Sequence, residues 1–223
     1  MAARSIIHLP SKGNQKTKTV TRIYSDYASA DLAIKELKAA GLSDGDISIL
    51  ASNAEGWHKA NGNDVNPQHD KDRGGRDDRA EGATTGGGLG AIAGGAVGVA
   101  TGLGLLAIPG VGPVVAAGWL AAMAAGAVAG GAAGGIIGAL VESGTSKENA
   151  EIYAESLRRG GAIVTAKVPN DEEARYTAIL DNSAIDVMAR GASYRQSGWH
   201  GYDPAASAYS PEQARQERDI YRL

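Results

Sequence analysis

With 223 residues and a formal net charge of −3, the chain has the length of one or two domains and no basic field that would call for nucleic acid. It contains no cysteine, which excludes disulfides, thiolate metal sites and cysteine nucleophiles and fits a reducing compartment. Its 32 glycines and lack of phenylalanine mark a biased composition, and most of that bias lies in the centre.

Residues 1–17 are polar, carry Pro10 and Gly13, and read as a flexible N-terminal tail. Ile6, Ile7 and Leu9 make too short an apolar run for a secretory signal, so export by that route is not expected. Residues 18–52 read as the first half of an α+β domain. The run Thr19 to Tyr24 is rich in β-branched residues and predicts a strand. Asp26 or Ser29 is placed to cap a helix whose apolar positions Ala30, Ala33, Ile34 and Leu37 recur at helical spacing, and Gly41 ends it. Asp46 to Ala51 predicts a second strand, which completes a βαβ unit.

Residues 53–81 lose all periodicity and become Asn, Gly, Asp, Lys and Arg, too polar to offset their ordering entropy, and read as a linker in which Trp57 is solvated. From Gly82 to Val141 there is no Asp, Glu, Lys, Arg or His. Within residues 82–142 glycines recur every four positions, first at Gly86, Gly90, Gly94, Gly98 and Gly102, then at Gly118, Gly126, Gly130, Gly134 and Gly138, with Ala122 in the gap. Between the ladders stands a turn with Pro109, Gly110, Gly112 and Pro113. A four-residue period puts small residues on one helix face and lets two backbones approach closely, so the stretch predicts a glycine-zipper helical hairpin.

Thr84 to Leu106 and Val114 to Val141 are both long enough to cross a bilayer core of about 20 residues, while Lys71, Arg73, Arg76, Arg79 and Lys147 flank the termini and the turn carries no charge. The expectation is insertion in the inner membrane as a preformed pair, with both termini cytoplasmic and the bilayer and other copies of the chain as partners. The alternative is a soluble assembly in which hairpins of several copies form a shared core, since so large an apolar patch does not stand alone in water.

Residues 143–191 supply the second half of the domain. Ser146 caps a helix to Arg159, Gly160-Gly161 stops it, and Ala162 to Val168 predicts a strand. Asn170, followed by Asp171, Glu172 and Glu173, opens another helix, and Ile185 to Ala189 predicts a closing strand. With the insertion set aside the order is βαβ and αβαβ, a ferredoxin-like split layout interrupted by the hairpin. Residues 192–223 read as a solvated or weakly docked tail, with a capping box at Ser210 to Gln213 and a short charged helix after it.

No chemistry-bearing set emerges. The run Gly86-Gly87-Gly88-Leu89-Gly90 has no strand before it and no Gly-Lys-Ser/Thr after it, so it is not a nucleotide loop. His8, His58, His69 and His200 fall in the predicted tails and linker without partners at ligand spacing, so neither a metal nor a cofactor nor a catalytic residue is expected.

The segments Thr19 to Asp26, Ala30 to Gly41 and Asp46 to Ala51 resemble the N-terminal domain of general stress protein 17M-like, or heat-induced stress, proteins. The apolar insertion with Ala107-Ile-Pro-Gly-Val-Gly-Pro-Val-Val-Ala-Ala-Gly118, followed by Arg158-Arg-Gly-Gly-Ala-Ile-Val-Thr165, is similar to a widespread group of bacterial stress- or low-temperature-induced proteins. The resemblance spans roughly residues 18–190. It implies a non-enzymatic role in the bacterial stress response and supplies no catalytic residues. A third reading, by analogy of fold alone, makes the α+β domain a small-ligand-sensing module.

Overall fold

A computed structural model describes residues 16–58, 104–129 and 135–220. The described residues form a mixed α/β fold with one five-stranded antiparallel sheet and seven α-helices. The strands are β1 (Thr17–Tyr24), β2 (Ile47–Ser52), β3 (Gly104–Ile108), β4 (Gly112–Ala117) and β5 (Ala162–Pro169), in the spatial order β1-β5-β2-β4-β3. The helices are α1 (Tyr27–Ala39), α2 (Trp119–Ala129), α3 (Gly135–Glu142), α4 (Lys147–Arg158), α5 (Glu173–Asp181), α6 (Val187–Gln196) and α7 (Pro211–Ile220).

Local chemistry accounts for the first half. The Asp26 carboxylate accepts from the Ser29 N–H at 2.8 Å, and α1 buries Ala30, Ala33, Ile34 and Leu37. Gly41 takes φ +99°, the left-handed conformation that ends a helix at low cost for glycine. Every residue of β2 is buried, so both of its edges and both of its faces need partners. β5 supplies one edge and β4 the other.

β5 also pairs with β1 over its whole length, from Thr17 opposite Pro169 to Tyr24 opposite Ala162. β1 and β2, joined by the α1 crossover, are therefore parallel to each other with β5 antiparallel between them. The period-two alternation sorts the side chains onto two faces. Val20, Tyr24, Ile49, Val164 and Val168 meet α1 and α5, while Ile23, Leu50, Leu106, Val114 and Ile163 meet α2, α3 and α4 together with Tyr194 of α6.

The central stretch departs from the expected helical hairpin. The predicted turn does reverse the chain, but it joins strands: Ile108 pairs with Gly112 and Leu106 with Val114. The loop Pro109-Gly110-Val111 has Gly110 at φ +71°, next to Gly112 at φ +107°, which is the chemistry of a three-residue β-hairpin connection. Ile108, Val111, Val114 and Val115 are β-branched, and β2 offers an unpaired buried edge, so strand pairing wins over a helical spacing that is permissive and not compelling.

Val114 to Val141 is thus no single span. It divides into most of β4, the helix α2 and most of α3, with residues 130–134 outside the described set. Leu120, Ala124, Ile136, Ala139 and Leu140 are buried against the sheet. Among the described residues no helix is long and apolar enough to cross a membrane.

Three smaller differences remain. The expected strand at Ile185 to Ala189 is one bridge, in which the Ile185 N–H donates to the Ile23 carbonyl at 2.8 Å, because the Asp186 carboxylate accepts from the Ala189 N–H and starts α6. Trp57 is half exposed but not free: it stacks at 4.5 Å on Tyr27, and its Nε1 donates to the Ser52 carbonyl. In α5 the first helical residue is Glu173, so Asn170 is not its cap.

Candidate functional site

The one-bridge ending of the sheet leaves a cleft at the edge of β1. Among the described residues β1 is an edge strand, and only the Ile23–Ile185 bridge extends the ladder past it. A cleft of about 430 Å³ opens there, lined by Arg22, Tyr153, Asp181, Ala184, Ile185, Asp186 and Val187. Arg22 comes from β1, Tyr153 from α4 and Asp181 from the end of α5, and the connector with the first residue of α6 supplies the rest.

The polar groups of the cleft are engaged with one another and with backbone. Arg22 forms an ion pair with Asp181 and donates to the Thr21 carbonyl at 2.9 Å. Burial opposes the guanidinium charge, but the hydrogen bond and the charge of Asp181 outweigh it, so the pKa is raised. The Tyr153 hydroxyl donates to the same Thr21 carbonyl at 2.9 Å, and burial pushes its phenol up to about 12. Asp186 is committed to the start of α6. A carboxylate keeps further lone pairs after one such bond, so Asp181 and Asp186 retain the capacity to accept from a ligand. The arrangement offers a half-open, mixed-charge cleft; no side chain in it is paired with another as nucleophile and base.

The residues singled out from the sequence fall elsewhere. Gly86, Gly90, Gly94, Gly98, Gly102, Gly130 and Gly134 lie outside the described residues. Gly118 takes φ +92° at the start of α2, where an added Cβ would stand 2.5 Å from the Ile47 carbonyl oxygen. Gly126 and Gly138 are exposed, and an added Cβ at either would meet nothing within 4 Å. The turn residues are instead held by the C-terminal segment. Tyr202 donates to the Pro109 carbonyl at 2.5 Å, an added Cβ on Gly110 would stand 2.8 Å from the Pro204 Cα, and one on Gly112 would stand 2.5 Å from the Ala208 Cβ.

That segment is therefore no solvated tail. Trp199 and Tyr202 pack against the core, and α7 opens with the expected capping box, in which Ser210 and Gln213 exchange two hydrogen bonds of 2.9 and 3.2 Å. Sequence reasoning did not reach the cleft, and for the C-terminal segment it allowed a weak docking without saying where. Arg22 in the middle of a β-branched run was the available signal; nothing local marks Asp181, Tyr153 or Asp186 as neighbours. Among the described residues, no three His, Asp or Glu side chains come together as a group that could hold a metal ion. No family model matches the chain, and no curated protein or solved structure shows significant similarity to it.

Proposed function

We propose that this chain is a non-enzymatic protein of the bacterial stress response whose α+β domain binds a small polar ligand in the cleft beside β1. The observation that carries the reading is the cleft itself: its volume falls in the range of small-molecule sites, and its convergent groups are two carboxylates, a guanidinium and a phenol on rigid elements. In this reading the sheet is a ferredoxin-like layout in which β1, α1, β2, β5 and α5 take their usual places. The last strand is reduced to the Ile185 bridge, and the β-hairpin, α2 and α3 are built in between β2 and α4. The shortened strand leaves room for a ligand where a fourth strand would lie.

The test is a thermal-shift screen of polar metabolites on the full chain, repeated on Ala184→Trp, which fills the cleft from its rim. Saturable stabilisation by a ligand, lost in Ala184→Trp, is the expected result. A flat screen, or stabilisation indifferent to Ala184→Trp, overturns the reading.

A second reading, soluble self-association, is favoured by Gly126 and Gly138, which present bare backbone on the exposed sides of α2 and α3. Sizing of the purified protein against concentration tests it, and a monomer at every concentration sinks it. Val114, Leu120, Ala124, Ile136, Ala139 and Leu140 are buried in the core of the domain, which argues against insertion of Val114 to Val141 in the inner membrane.

A further inference from the structure

Half of the backbone hydrogen-bonding groups of β1 face away from its neighbour. The Asn170 N–H donates to the Lys16 carbonyl at 3.1 Å, so the even-numbered residues of the strand bond to β5. The backbone groups of Thr17, Thr19, Thr21 and Ile23 therefore point outward. At two of these positions the carbonyl is met: Ile23 accepts from the Ile185 N–H at 2.8 Å, and Thr21 accepts from Tyr153 and Arg22. At Thr17 and Thr19 no described residue pairs with the outer edge. Lys18, which lies between them, is held by Glu173 at 2.6 Å on the α5 face of the sheet.

This open stretch leads into the cleft. From Thr17 to Thr21 the edge runs toward Arg22, Tyr153, Asp181 and Asp186. Of the charged side chains that line the cleft, two are carboxylates and one is a guanidinium. Arg22 is paired with Asp181, whereas Asp186, which caps α6, has no ion-pair partner among the described residues. The direction of an added strand follows from the same residues. Ile185 pairs antiparallel with Ile23, and the chain then turns away because Asp186 starts α6. A strand that continued past Ile185 in that sense would lie opposite Thr21, Thr19 and Thr17. A separate strand in that place begins in the cleft, beside Asp186, so the end it presents to the carboxylates is its N-terminus.

We propose that the outer edge of β1 and the cleft together bind the free N-terminus of an extended polypeptide, which adds an antiparallel strand to the sheet and sets its α-ammonium group between Asp181 and Asp186. The inference rests on the reading of the cleft as a ligand site, and it names the ligand class. The α-amino group is largely protonated at neutral pH and has three N–H donors for the free carboxylate lone pairs. Main-chain groups of the peptide meet Thr19 and Thr17 whatever side chains it carries, so a terminus is recognised more than a sequence. A strand of the opposite direction would bring its own carboxylate against Asp186, like charge against like.

The experiment measures fluorescence anisotropy of a short peptide of alternating valine and threonine, with a dye at its C-terminus, as the full chain is added. The peptide with a free N-terminus is expected to bind at least about tenfold more tightly than its N-acetylated twin. In Asp186→Asn, which keeps a good cap for α6, that advantage is expected to shrink. Methyl groups on one alternate set of peptide amides should abolish binding and on the other set should be tolerated, because only alternate residues of an added strand face β1. Equal binding of the free and acetylated peptides, tolerance of both methylated sets, or an undiminished advantage in Asp186→Asn overturns the proposal. So does a failure of the peptide to bind. If a metabolite of the thermal-shift screen still stabilises the chain in that case, the cleft remains a ligand site; if the screen is also flat, that reading falls with the proposal. Should Asp186→Asn lose its fold, the acetylated and methylated peptides decide alone, since they leave the protein unaltered.

Discussion

The glycines in and just after the β-hairpin and those of the helices that follow lie in one glycine-rich stretch and have opposite surroundings. At Gly110, Gly112 and Gly118 the backbone is left-handed and another part of the chain lies against the missing Cβ. At Gly126 and Gly138 the backbone is helical and the space is empty. A glycine ladder read from spacing alone therefore mixes two causes. One is a conformational requirement, which a fold enforces; the other is a bare helix face, which nothing inside the described domain uses.

Substitution separates the two causes. Gly118→Ala is expected to cost most, at least about 3 kcal/mol, because strain at positive φ adds to a clash with the backbone of Ile47 and Ser48, neither of which can retreat from the centre of the sheet. Chemical denaturation measures it, and a loss below about 1 kcal/mol would show that the α2 start adapts freely. Gly110→Ala should cost about 1–2 kcal/mol, since the opposing Asp203 and Pro204 belong to a surface segment that yields. Faster proteolysis between Trp199 and Ser210 is the accompanying sign.

Tyr153→Phe, away from both groups, calibrates the scale at about 1 kcal/mol for one lost buried hydrogen bond. It also carries a pH signature. The Tyr153 phenol titrates higher in the folded protein than its ordinary value of 10.0, so its contribution to stability is complete below about pH 10 and is lost as the pH rises through about 12. The fall in stability at high pH should be shallower in the Phe variant, and it should persist in part because burial raises Tyr24 in the same sense.

Gly126→Ala and Gly138→Ala are expected to have the smallest effect and the opposite sign, a gain of about 0.5–1 kcal/mol each from helix propensity. If either instead destabilises the protein in a manner that depends on its concentration, a second copy packs on that face and the self-association reading gains its contact.

The elements that sequence made legible are those whose local chemistry and tertiary setting agree. Asp26, Ser146 and Gly41 do what their residue types predict, and Ala30, Ala33, Ile34 and Leu37 bury as their spacing requires. The β-hairpin was not legible, because Gly, Ala, Val and Leu in alternation satisfy a helix and a strand equally and the decision falls to an unpaired edge on β2, sixty residues earlier. The last strand failed for the opposite reason: a local cap at Asp186 overrode the β-branched run at Ile185 and Val187. Of the candidate cleft only Arg22 stood out, since its other walls come from α4, α5 and the connector, and their meeting is a property of topology.

The position of β5 has a consequence for synthesis. It is the last of the described strands and it lies between the first two of them, so Thr21 waits for Thr165 and Leu50 for Ile163. A ribosome adding about 5–20 residues per second takes roughly 7–30 s to travel from β1 to the end of β5. Through that interval the edges that β1 and β2 turn toward β5 stay bare, and the most apolar part of the chain is emerging. Chaperone occupancy on the nascent chain should therefore rise as the central stretch leaves the tunnel and fall only once Pro169 has cleared it.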